Sequence, residues 1–198
     1  MAVFGKVAKA SAGRKNAAKM NKLGSFYARI DNTKYVASAK GHFGVVECTV
    51  IQPHDEAYKT DDFLCHMQSG GDHGFLEQFM AGYVAAYNGV QVGHQFSENE
   101  AENEEIWDQK TQEIFGTPVP ENGKFIYKHD NPMKGVVAHW KIVEDDQSYK
   151  KEEKKKKDAD GNVLVYKNVV LVGLVGPEEI DPDVLQKELP NLHAQYGG

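Results

Sequence analysis

Six lysines crowd one short stretch of this chain: Lys150, Lys151, Lys154, Lys155, Lys156 and Lys157, interrupted only by Glu152 and Glu153. The local excess of four positive charges suits a polyanion, because phosphate responds to the nearby field and not to the net charge of the whole molecule. Aromatic and cationic residues also alternate in strand-like runs, at Tyr27, Arg29, Lys34, Tyr35, Phe43 and Tyr166, and Lys40 stands in a turn between two of those runs. Flat rings beside cations offer a second chemistry. A nucleobase stacked on such a ring gains ~1–3 kcal/mol with little regard to which base it is. The thirteen residues Tyr27, Arg29, Lys34, Tyr35, Lys40, Phe43, Lys150, Lys151, Lys154, Lys155, Lys156, Lys157 and Tyr166 are therefore the candidate binding set.

Other chemistries find less support. Eight histidines are scattered along the chain, without zinc-finger spacing or an H-E-x-x-H pair. Cys65, His66 and His73 can be drawn as ligands, but their spacing matches no metal motif. The glycine-rich run from Ser69 to Gly74 lacks the lysine of a phosphate-binding loop, and there is no G-x-S-x-G. Asp61, Asp62 and Asp72 do not have a spacing that demands a metal-dependent nuclease. The expectation is a binding protein: not an enzyme, with no cofactor and no metal.

Charge is unevenly spread. The 198 residues sum to −6, yet Lys6, Lys9, Arg14, Lys15, Lys19, Lys22 and Arg29 face no acid within the first thirty positions. Between Glu98 and Glu113 seven acids stand against Lys110 alone. Cys48 and Cys65 belong to no C-x-x-C and are expected to be reduced thiols. No apolar run approaches the ~20 residues of a membrane span and no secretory pattern is visible, so a cytoplasmic location is expected, with no membrane partner.

The elements that must position the candidate residues follow from periodicity. Phe26, Ala28 and Ile30 alternate with Tyr27, Arg29 and Asp31, as in a half-buried strand, with a bend or bulge expected at Asp31 to Thr33. His42 to Gln52 and Phe63 to Met67 read as the second and third strands. Phe75, Phe79, Tyr83 and Tyr87 recur every four residues and predict a helix over 75–87, packed along that stripe. A second, acidic helix is expected over 100–115. Lys124 to Tyr127 reads as a short extra strand, Met133 to Val143 as the fourth main strand with Trp140 in the core, and Val163 to Val175 as the fifth.

Strand, strand, strand, helix, strand, strand is the order of an OB-type five-stranded Greek-key barrel. The expected fold is mainly β with α, such a barrel carrying an added acidic helix and terminal extensions. An antiparallel β-sandwich is the alternative. The expected organisation is a basic arm over 1–24, the barrel over 25–176 with a helical insertion around 98–116, and an acidic extension over 177–198.

Several stretches also carry a resemblance. They are Gly24 to Ile30, Lys40 to Ile51, Phe75 to Tyr83, Pro132 to Ala138 and Tyr166 to Leu171. Over roughly residues 24–175 the chain resembles phage-encoded OB-fold single-stranded DNA-binding proteins of replication and recombination modules. The resemblance implies sequence-independent binding of single-stranded DNA in phage replication, recombination or repair, in the host cytoplasm. Replication or recombination proteins, or a second copy of the chain, are the further partners it suggests. The alternative is a phage structural or interaction protein (a decoration, tail or connector component) or an inhibitor of a host enzyme.

Overall fold

The computed structural model describes residues 17–38, 41–71, 74–121, 124–145, 167–176 and 179–184. In chain order the elements are β1 (Ala18–Lys19), β2 (Gly24–Ser38), β3 (Gly41–Pro53), β4 (Phe63–Ser69), α1 (Phe75–Tyr87), α2 (Glu100–Phe115), β5 (Thr117–Glu121), β6 (Lys124–Lys128), β7 (Val137–Glu144) and β8 (Lys167–Leu174). Six strands form one mixed sheet in the order β1-β4-β3-β2-β7-β8, and β5 and β6 form a separate two-stranded ribbon.

The expected order of strands and helix is therefore present, but the closed barrel is not. Among the described residues no ladder joins β8 back to β4. Instead β1 takes the outer edge of β4 and runs parallel to it, Ala18 opposite Leu64 and Lys19 opposite Cys65. Two residues of the expected basic arm are thus part of the sheet, and Met20 is buried beside them.

β2 is the spine of the sheet. It pairs along its length with β3, and its first half also pairs with β7. The pairing register slips between Ile30 and Asn32, so Asp31 is the extra residue of a bulge where the sequence predicts one. Before the bulge Phe26, Ala28 and Ile30 point into the core. Beyond it the inward positions change from even to odd: Thr33 is fully buried and Tyr35 packs against the core. Thr33 is satisfied there, its hydroxyl bonded to the Ile114 carbonyl and 2.9 Å from Asn131 Oδ1.

The core joins Val46, Cys48 and Val50 of β3, Leu64 of β4, Trp140 and Ile142 of β7, and Ile114 and Phe115 at the end of α2. Trp140 is fully buried, as expected, with its ring 5.9 Å from that of Phe26. Gly44 lets α1 approach β3, since a Cβ there would lie 2.7 Å from the Phe79 ring. The aromatic stripe of α1 packs only in part. Tyr83 is buried and Phe79 packs against the core, but Phe75 is 55% exposed and Tyr87 37%. Four residues turn a helix by about 400°, so an i, i+4 row drifts about 40° per step and its two ends leave the buried face.

The acidic helix forms as expected, with Asn99 Oδ1 accepting the Glu102 N–H at 3.2 Å to cap it. Its Glu100, Glu102, Glu104, Glu105, Asp108 and Glu113 are exposed. The fourth main strand starts at Val137 and not at Met133, because Pro132 to Gly135 form a turn with Gly135 at φ 89°. β5 is the strand that periodicity misses. It holds Pro118 and Pro120, which a ladder tolerates where their missing N–H groups face away from the partner.

Candidate nucleic-acid interface

Side-chain alternation from the inward residues gives the sheet an outer face, and the bulge divides that face into two halves. In the first half the outward positions are Ser25, Tyr27 and Arg29 on β2, Thr49 and Ile51 on β3, and Val137, His139 and Lys141 on β7. This half is covered. Val175 and Ile180 pack on Tyr27, Ile51 and Val137, with Val184 against them. Tyr27 faces outward as expected but is consequently only 8% exposed, which corrects its expected role as an open stacking ring. It meets His54 and His139 edge to face, with ring centroids 4.5 Å and 4.8 Å away.

The second half carries Lys34 and Val36 on β2, Phe43, Val45 and Glu47 on β3, Cys65, Met67 and Ser69 on β4, and Lys19 on β1. Phe43 is half-buried and Met67 43% exposed. Lys34 Nζ lies 2.6 Å from Glu47 Oε1, and Glu47 also accepts from Asn32 Nδ2 at 3.2 Å. Arg29 Nε lies 3.2 Å from Asp31, which accepts the Thr49 hydroxyl at 2.6 Å. Each of these two strand cations thus has a carboxylate beside it. Tyr35 is not outward as expected: the bulge turns it towards the core, and its hydroxyl meets His42 Nδ1 at 2.6 Å. The exposed His42 ring stacks on it at 5.7 Å and 25°.

Lys40, Lys150, Lys151, Lys154, Lys155, Lys156, Lys157 and Tyr166 lie outside the described residues. The roots of their loops do not. Ser38 and Gly41 close the β2–β3 hairpin at one end of the spine. Glu144 and Lys167, which flank the lysine-rich loop, pair beyond the position where Gly24 meets Ile142, at the other end. β2 has 15 residues, so these roots are separated by roughly 45 Å measured along the strand.

The sequence reading thus brings Lys34 and Phe43 onto one open face, puts Arg29 nearer the covered half, and separates Tyr27 from them. It misses Lys19 and Met67, which reach that face only because β1 and β4 pair there. Parallel pairing of a two-residue strand leaves no periodic signal.

Neither cysteine is poised to react. Cys48 stands opposite Leu64 and Cys65 opposite Glu47, so the two thiols point to opposite sides of the sheet, and both are free. Burial raises the pKa of each, most strongly for Cys48. Among the described residues no group of His, Cys, Asp and Glu is arranged to hold a metal ion. Among the described residues no helix is long and apolar enough to cross a membrane.

A buried polar chain supports the sheet from inside. Trp140 Nε1–H donates to the Tyr83 hydroxyl at 3.1 Å, and that hydroxyl lies 2.9 Å from His66 Nδ1. The Tyr83 hydroxyl thus links the indole to a neutral His66 ring. Burial pushes the His66 pKa down to about 4 from an ordinary 6.5. The unfolded chain therefore binds a proton first on acidification. Stability held in full above about pH 6.5 should fall progressively towards pH 4, by about 3 kcal/mol from this group. Urea midpoints measured at pH 7 and pH 4.5 check this. H66Q should show a smaller drop than the wild type, and equal drops would place the acid sensitivity elsewhere.

No family model matches the chain, and none of the curated proteins matches it.

Proposed function

We propose that this protein binds single-stranded DNA without sequence preference, in phage replication, recombination or repair, through an OB-type sheet left open at one seam. The OB-type reading rests on the pairing order. β4, β3, β2, β7 and β8 follow one another as third, second, first, fourth and fifth strands, with α1 after the third. The single observation that carries the functional reading is the part of the outer face that no described segment covers, where Lys19, Lys34, Phe43 and Met67 lie together across β1 to β4. An OB-type fold holds its ligand on the second and third strands, between the loops that join strands one to two and four to five. Here those loops contain Lys40 and the lysine run 150–157.

A base laid on Phe43 stacks on an apolar ring, and Met67 extends that surface. Phosphate offers Lys34 and Lys19 a partner that competes with Glu47. The two loop roots lie at opposite ends of β2, and the half of the face nearer the lysine run is the one Val175 and Ile180 cover, so a strand reaching both loops must pass over that cover. The test is a fluorescence titration with oligo-dT at 50 and 200 mM salt. The expected result is binding that weakens steeply with salt, together with much weaker binding to duplex of equal length. Equal affinity for duplex and single strand would overturn the reading.

A further inference from the structure

The covered half of the outer face is held by a small cluster that the binding reading does not use. The His54 and His139 rings stack at 5.2 Å and 27°, and Tyr27 abuts both. His139 Nε2 lies 2.6 Å from Ser25 Oγ. Over this cluster lie residues 175–176 and 179–184. The Val175 N–H bonds the Val137 carbonyl at 3.0 Å, the Asp181 N–H bonds Gln52 Oε1 at 2.8 Å, and the Val175 and Ile180 side chains are buried against Tyr27, Ile51 and Val137. The covering segment therefore sits on an apolar patch whose rim is two imidazoles.

We propose that the stacked His54–His139 pair is an acid-sensitive clasp, which keeps residues 175–176 and 179–184 seated while the His139 ring is neutral and loosens them when that ring becomes charged. Stacked imidazoles attract through their faces and exclude water from Tyr27. A charged His139 ring in that half-buried place instead demands hydration and draws water in. The charges around the pair are of both signs. Lys141 on β7 opposes protonation of His139, as burial and His54 do more strongly. Glu179 of the covering segment favours it. Asp55 faces the cluster from the β3–β4 loop, but its carboxylate already accepts the Ser25 and Ala57 N–H groups. The net effect on His139 is a lowered pKa, so the seated arrangement prefers the neutral ring. That preference is fully satisfied above the ordinary histidine range and is lost as pH falls through it.

Hydrogen exchange of the whole chain tests the clasp. After correction for intrinsic exchange, protection of the Val175 and Asp181 amides should fall about tenfold between pH 7.5 and pH 5.5, while Val46 and Val50 of the core lose much less. H54Q and the double variant H54Q/H139Q should remove most of that selective loss. Parallel losses at all four amides in the wild type would overturn the proposal, and that comparison needs no variant to fold. A double variant that keeps the full selective loss would overturn it as well. Neither outcome depends on DNA binding.

Discussion

Replacing Lys154, Lys155, Lys156 and Lys157 together by alanine is expected to weaken oligo-dT binding on the order of several hundred-fold at 0.1 M salt. Each single-strand phosphate neutralised by a cation contributes ~0.7 to the slope of log affinity against log salt. Measured against a 1 M reference, one such contact is worth about fivefold at 0.1 M, and four contacts roughly 600-fold. The slope itself should become shallower by about 2.8. Titrations at three or more salt concentrations separate the two quantities. A variant with weaker binding but an unchanged slope would mean that these lysines take no phosphate. The substitution should leave folding intact, because the loop is anchored by the Glu144–Lys167 pairing, and the ladder continues from there to Ala138 and Leu174.

Trp140→Ala should cost about 3–5 kcal/mol of stability, the usual range for emptying a buried aromatic site. Against a typical total of about 5–15 kcal/mol, that moves a urea midpoint far to the left. The indole is fully buried, stacks on Phe26 and donates to Tyr83. Truncation therefore opens a cavity and also removes a donor from a buried hydroxyl. Trp140→Phe keeps much of the volume and loses the bond, for about 1–2 kcal/mol. The difference between the two variants separates packing from polar satisfaction. A loss below about 1 kcal/mol for the alanine variant would contradict the close packing described for this site.

Much of this architecture is legible in the sequence because it repeats at short range. The period of two in Phe26, Ala28 and Ile30 and the four-residue recurrence in α1 are local signals, and the elements form where those signals lie. What the sequence hides is long-range. Tyr27 has the spacing of an outward residue and is outward, yet a segment about 150 positions later covers it. Tyr35 reads as outward only if the alternation continues unbroken, and the bulge reverses it. His139 and Ser25 meet across 114 positions, a distance at which no pattern operates. Barrel closure belongs to the same class. Each of the five main strands forms at its expected stretch, but which edge receives β1 depends on how the ends of the sheet approach each other.

Asp31 sets the reading frame of half a strand. Were it deleted, the ladder would pass from Ile30 onward without its slip, and each position from Asn32 to Ser38 would swap sides. Thr33 would leave its bonds to Ile114 and Asn131, and Tyr35 would turn out to solvent. Lys34 would be driven towards Val46 and Phe115. One unpaired residue thus decides whether an ammonium group meets water or oil, and a shortening of one codon there threatens the fold more than many substitutions in the core.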